Sequence, residues 1–171
     1  MNSMNVPPTA SLVVRLPLPE RLFLWAMRAW SASHNDLTAV WWSLDRAFSQ
    51  ERIPAVLPPF HQLMSTLFAG FKRWPDICCV ACPHLGRDEA RLLHLLTYLQ
   101  HGNNAGARAV LNELFVWSAA RVAYRCAADC VEIVSAAGLR FTGPLAHSQP
   151  FSVCADRTGA APVAAPESSV H

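Results

Sequence analysis

Three cysteines and a histidine lie close together near the middle of the sequence: Cys78, Cys79, Cys82 and His84. Thiolates and imidazoles are the side chains that zinc and other soft or borderline metals prefer, and closely spaced thiols can also be oxidised reversibly. The C-x-x-C spacing of Cys79 and Cys82 allows two thiolates to reach one ion across a tight turn. The segment therefore predicts a zinc site or a thiol that senses oxidation, and an inert turn is the alternative that the pattern leaves open.

A second pair of cysteines, Cys126 and Cys130, lies one helical turn apart in the last predicted helix. Both thiols could contact one ion, so we include them with the four loop residues as candidate metal ligands. Core packing is the stronger interpretation for this pair, because both residues fall on an apolar stripe of small side chains, where a free cysteine behaves as a small hydrophobe. The loop also lacks a second C-x-x-C or H-x-x-x-H at zinc-finger spacing.

Signatures of the common enzyme classes are missing from the sequence. It contains no G-x-S-x-G, no phosphate-binding G-x-x-x-x-G-K-[ST] and no G-x-G-x-x-G after a strand. The adjacent carboxylates Asp88 and Glu89 are explained by the electrostatics of a helix start. A thioredoxin-like site would need a helix beginning at its first cysteine, whereas here the helical pattern begins only after Pro83. We therefore expect a protein without catalytic activity and keep a thiol-redox enzyme as a further alternative.

Composition limits the classes of partner. The chain has 171 residues, which suits one domain, with 52% hydrophobic and only 15% charged residues. Such a chain either buries its apolar faces unusually well or leaves a patch for a protein partner or a second copy of itself. The net charge of +2 is too balanced for nucleic-acid binding, so none is expected.

The cysteines and the apolar runs also bear on location. The six cysteines are not spaced as in a secreted disulfide framework, so we expect reduced thiols and a cytoplasmic protein. No apolar run reaches the roughly 18 residues of a membrane span, and no signal peptide is evident. We expect no membrane association and no cofactor other than zinc.

Hydrophobic periodicity predicts an all-α fold, a single compact bundle of five or six short helices. Residues 15–141 form the predicted helical domain, residues 1–14 a flexible arm, and residues 142–171 a disordered tail rich in small residues and proline. Six helices are expected: 19–33, one capped by Asn35 or Asp36, one after Pro59, one with Asp88 and Glu89 in its first turn, one capped by Asn103 or Asn104, and 116–137.

The segment from Cys79 to Leu93 resembles a group of small bacterial all-helical proteins in which a C-x-x-C-P-x-L-x-x-D-E-A stretch opens a helix. The segment from Leu16 to Trp30 resembles their leucine- and tryptophan-rich first helix. The resemblance spans roughly residues 15–141 and does not include Cys126 or Cys130. It implies an all-α single domain in a bacterial cytoplasm, and it implies no particular activity.

Three hypotheses follow. The leading one is a small non-catalytic cytoplasmic protein that acts through protein contacts, with a cysteine-rich loop that binds zinc or senses thiol oxidation. The alternative is a purely structural or dimeric interaction module whose cysteines serve packing. The further alternative is the thiol-redox enzyme.

Overall fold

The computed structural model describes residues 16–33, 36 and 38–143. Within these residues the chain forms six α-helices and no β-strand, which confirms the predicted all-α fold. The predicted arm and residues 144–171 of the predicted tail lie outside the described residues. The helices are α1 (Leu18–Ala32), α2 (Thr38–Gln50), α3 (Leu57–Gly70), α4 (Arg87–Gln100), α5 (Asn104–Leu114) and α6 (Trp117–Ala136).

Local signals in the sequence account for several helix ends. The side chain of Asn103 accepts a hydrogen bond from the Gly106 amide at 2.9 Å and caps α5. Ahead of α2, Asp36 accepts one from the Thr38 amide at 3.1 Å. Gly102, with φ +71°, follows the end of α4 in the left-handed conformation that glycine adopts without strain.

The last two helices are separate, a boundary that the sequence pattern leaves open. Phe115 and Val116 form an extended link between α5 and α6. Phe115 pairs with Phe71 in an isolated antiparallel bridge, and the Val116 amide donates to the Gly70 carbonyl at 3.0 Å. The link is therefore held against the end of α3, which breaks the helical path between Leu114 and Trp117.

A cluster of phenylalanines forms one part of the core. The ring of Phe23 in α1 lies 5.8 Å from Phe48, 5.9 Å from Phe60 and 5.2 Å from Phe141. Beyond Phe141, the amide of Gly143 donates to Glu20 at 3.2 Å. Contacts of the helical domain thus continue past the predicted boundary at residue 141.

Two details of the predicted helix faces are wrong. The i, i+3, i+4, i+7 spacing of apolar residues in α2 predicts that Trp41 is buried, but it is 36% exposed and packs edge-on against His61. The stripe of small apolar residues in α6 likewise predicts a buried Val122, which is 43% exposed. The buried face of α6 is shifted because this helix packs against α3, α4 and α5 together. It consists of Ala120, Ala123, Cys126, Ala127, Cys130, Val131 and Val134.

None of the helices in the described part of the chain combines the length and the apolar character needed to cross a bilayer.

Candidate functional site

The segment predicted to bind zinc or to sense oxidation connects α3 to α4. We call residues 76–86 of this connection the cysteine loop. It packs beside α1 at Arg28, whose side chain is only 2% exposed. A guanidinium carries five N–H donors and a charge that cannot be lost, so its burial requires several acceptors. The acceptors come from α4 and from the loop itself.

Arg28 and Glu89 form a buried ion pair with two parallel hydrogen bonds. The Arg28 Nε atom lies 2.8 Å from Glu89 Oε1, and Nη2 lies 2.8 Å from Oε2. The remaining donors reach the loop backbone, at 2.6 Å from the Cys82 carbonyl oxygen and 2.5 Å from that of His84. Although burial opposes it, the bonding and charge of Glu89 raise the pKa of Arg28. One arginine therefore holds the second half of the loop.

Glu89 in turn holds the loop at two backbone amides. Its Oε2 accepts from the Gly86 amide at 2.6 Å, which is the capping arrangement at the start of α4. Its Oε1 accepts from the Cys78 amide at 3.0 Å. A Cβ at Gly86 would lie 2.7 Å from the Asp76 carbonyl oxygen, so a residue with a side chain would clash at this position. Each oxygen of Glu89 thus accepts two hydrogen bonds.

Asp88 holds the beginning of the cysteine loop by accepting hydrogen bonds in a similar way. It is fully buried and receives two hydrogen bonds from Arg73, at 2.8 and 2.6 Å, and one from the Asp76 amide at 2.7 Å. Adjacent helix positions point about 100° apart, so Asp88 and Glu89 reach different segments. The electrostatics of a helix start accounts for the position of both carboxylates, but not for these long-range contacts, which were not predicted.

Within the loop, the side chain of Cys82 lies close enough to the Cys78 thiol to raise its pKa. Both residues are buried, whereas Cys79 is exposed. The amide of Cys82 donates to the Cys79 carbonyl at 3.1 Å, so the predicted tight turn is present. Burial raises the pKa of the Cys78 thiol, and the nearby Glu89 carboxylate raises it further.

The six predicted metal ligands are not brought together. Cys126 and Cys130 lie in the hydrophobic core on α6, and burial raises the pKa of both thiols. His84 is half-buried and contributes its carbonyl oxygen to Arg28. Across residues 16–33, 36 and 38–143, no group of three or more His, Cys, Asp or Glu side chains is arranged to hold a metal ion. The chemistry that this arrangement does allow is bond formation between the two loop thiols.

Arg28 was not among the residues predicted to take part in the site. A signal was present, because an arginine on a helix that is apolar on most sides must either reach solvent or find a buried acid. The partner Glu89 lies 61 positions along the chain, so its identity depends on the packing of α1 against α4.

Comparison with known proteins returns no match to any protein-family profile, curated protein or solved structure. The resemblance of residues 15–141 to small bacterial helical proteins therefore stays a prediction. The proposed function rests on the geometry of the cysteine loop.

Proposed function

We propose that this chain is a non-catalytic cytoplasmic helical protein that acts through protein contacts, and that its cysteine loop senses oxidation by forming a Cys78–Cys82 disulfide. The observation that supports this most directly is that the Cys82 side chain lies close enough to Cys78 to raise the pKa of its thiol. Arg28 and Glu89 fix the backbone on both sides of the pair, so the sulfurs are kept together at little further entropic cost.

The oxidant in this proposal is a peroxide, which is small enough to reach a largely buried thiol. Cys82, at 8% exposed, is more accessible than Cys78 at 4%. The Cys82 sulfur loses its proton and attacks one oxygen of hydrogen peroxide. The O–O bond breaks, Cys82 becomes a sulfenic acid, and the other oxygen leaves as water. The Cys78 sulfur then attacks the Cys82 sulfur, the S–O bond breaks, and a second water leaves with the Cys78 proton. The two thiols lose two electrons in total, and the peroxide gains them.

Three features favour oxidation over zinc binding at this pair. Structural zinc needs four donor atoms, and only two sulfurs converge here. The Glu89 oxygens are already occupied by four hydrogen bonds. The positive charge of Arg28 is close enough to act on the Cys78 thiol, and it would repel a cation.

The raised pKa of Cys78 argues against a fast thiol-redox enzyme, and it slows oxidation of the loop as well, because both reactions use the thiolate. Thiol-redox enzymes lower the pKa of the attacking cysteine, whereas burial raises the pKa of Cys78. Exposed tryptophans support the protein-contact part of the proposal, since Trp42, Trp74 and Trp117 are 73%, 58% and 74% exposed.

The test is peptide mapping after treatment with hydrogen peroxide. Trypsin releases residues 74–87 as one peptide with all three loop cysteines, and disulfide formation removes the mass of two hydrogens from it. We expect this loss in the native protein and in Cys79→Ser, and its absence in Cys78→Ser and Cys82→Ser. Cys126 and Cys130 should remain free to alkylate after unfolding. A disulfide that survives in Cys78→Ser would contradict the assignment.

Metal analysis of the protein purified under reducing conditions distinguishes zinc binding from oxidation of the loop. We expect no stoichiometric metal. A stoichiometric zinc that is lost in Cys78→Ser and Cys82→Ser would replace the oxidation proposal with a structural metal site.

A further inference from the structure

A second feature lies away from the cysteine loop, where α5 meets the amino end of α6. We call it the Trp117 surface, and its principal residues are Arg108, Trp117, Arg121, Val122 and Tyr124. Two adjoining open grooves of about 350 and 500 Å³ share Trp117 and Arg121. Trp117 is 74% exposed and Val122 is 43% exposed. A large aromatic ring beside grooves is typical of a protein-binding surface.

The charge of this surface is positive and largely uncompensated. The Arg121 guanidinium lies over the Trp117 ring, 5.6 Å from its centre. Within the described part of the chain, neither Arg108 nor Arg121 forms an ion pair, whereas Arg125 lies 3.5 Å from Asp129. Arginine fork groups bind carboxylates with two hydrogen bonds. The surface therefore complements an acidic group next to an apolar one.

The start of α6 adds to the same preference. No side chain caps its amino end, and its first turn contains no acidic residue. The amino end of a helix carries a partial positive charge that favours a carboxylate. Here it lies directly beside Trp117, the first residue of the helix.

We infer that the Trp117 surface binds an acidic segment of another protein, with an apolar side chain against Trp117 and carboxylates on Arg108 and Arg121. This inference names the partner chemistry for the protein contacts proposed above, on which it rests, and it is independent of the cysteine loop.

A peptide fits this surface better than a nucleic acid does. Single-stranded nucleic acids are bound in positively charged grooves that follow the backbone over several nucleotides. The net charge of +2 provides no such track.

The first experiment selects binders from a library of random peptides displayed on phage, using the full-length protein as bait. The Trp117→Ala protein removes peptides that bind elsewhere. We expect the selected peptides to be enriched in Asp and Glu next to Leu, Phe or Trp. Absence of enrichment, or selected peptides without acidic residues, would overturn the inference.

The second experiment measures the affinity of the best selected peptide by fluorescence anisotropy. Trp117→Ala and the double variant Arg108→Glu/Arg121→Glu should each weaken binding by at least about tenfold, as expected for interface anchors. Trp42→Ala is a matched control, because Trp42 is 73% exposed on a different helix. The double variant Arg46→Glu/Arg140→Glu is the matched charge control, because both residues are exposed elsewhere. Both controls should bind within about twofold of the native protein. Equal losses in the control variants would contradict the assignment.

Two further outcomes would replace the proposed partner. A single-stranded oligothymidylate that displaces the peptide and binds more tightly would indicate a nucleic-acid surface. A dimer in light scattering that dissociates in Trp117→Ala would indicate a second copy of this chain. Peroxide mapping of Trp117→Ala should still find the Cys78–Cys82 disulfide, so failure of this inference is distinguishable from failure of the cysteine-loop proposal.

Discussion

Arg28 is the side chain on which the cysteine loop depends most, because it joins three separate pieces of chain. It extends from α1, forms two hydrogen bonds with Glu89 of α4, and donates to the carbonyls of Cys82 and His84. A buried ion pair adds little net stability compared with a well-packed apolar pair. Removal of one partner, however, leaves the other charge buried without compensation. Its main contribution is therefore to the specific conformation of the loop.

Replacement of Arg28 by Met tests this role and keeps most of the side-chain volume. We expect the free energy of unfolding to fall by about 3–5 kcal/mol, since Glu89 and two loop carbonyls lose their partner. The measurement is urea unfolding followed by tryptophan fluorescence.

The matched control is Arg125→Met, which removes the exposed pair with Asp129. Its effect should stay within about 0.5 kcal/mol, as for other surface pairs on helices. If the two variants were equally stable, the loop would not depend on Arg28.

Among the elements, α3 and α6 approach closely where they cross at Gly70 and Ala119. A Cβ on Gly70 would lie 2.1 Å from the Ala119 Cβ, which is far inside van der Waals contact. The same end of α3 also accepts the Val116 amide through the Gly70 carbonyl. The position of α6, and with it the exposed Trp117, is set by the absence of a side chain at this crossing.

Substitution of Gly70 by Ala should therefore force the two helices apart. We expect a loss of about 1–3 kcal/mol in the free energy of unfolding, the usual cost of overpacking. The double variant Gly70→Ala/Ala119→Gly moves the methyl group to the other helix and should recover a large part of that loss. Thermal unfolding followed by circular dichroism measures both. A double variant less stable than the sum of the single effects would show that the contact is not the cause.

At the scale of the whole molecule, the two ends of the described chain are held together by packing and hydrogen bonds. Phe141 is fully buried, and its amide donates to Gln100 at 2.6 Å. The Glu20 carboxylate at the start of α1 accepts from the Thr142 amide at 2.5 Å. One core thus extends from α1 to residue 143, and it includes two of the three thiols whose pKa burial raises.

These thiols make the global stability depend on pH. Cys78, Cys126 and Cys130 keep their protons in the folded protein at pH values where the unfolded chain releases them. The stability is fully present below the unfolded thiol pKa of about 8.5 and falls as the pH rises above it. The slope should approach about 1.4 kcal/mol per pH unit for each of Cys78 and Cys130, whose pKa values burial raises strongly, and Cys126 should add to the loss in the same direction. Urea unfolding between pH 8 and pH 10, roughly the range that spans this pKa, measures it under reducing conditions.

The control for this pH dependence is the double variant Cys126→Ala/Cys130→Ala. It lacks two of the three thiols whose pKa burial raises, so its stability should fall less steeply with pH. The same slope in both proteins would mean that other groups cause the alkaline loss.

The sequence by itself determined the features that depend on neighbouring residues. Helix positions followed from the 3.6-residue periodicity, and ends such as Asn103 and Gly102 followed from capping chemistry. The tight turn at Cys79–Cys82 and the packing preference of Cys126 and Cys130 were readable for the same reason.

Only the tertiary structure decided which distant groups meet. Arg28 and Glu89 are 61 positions apart, and nothing in either local pattern names the other as its partner. The pairing of Cys82 with Cys78 depends on the backbone that this ion pair holds. The exposure of Trp117 depends on how closely α6 approaches α3. Periodicity and capping act over a few residues, whereas these contacts are made only when separate helices pack together.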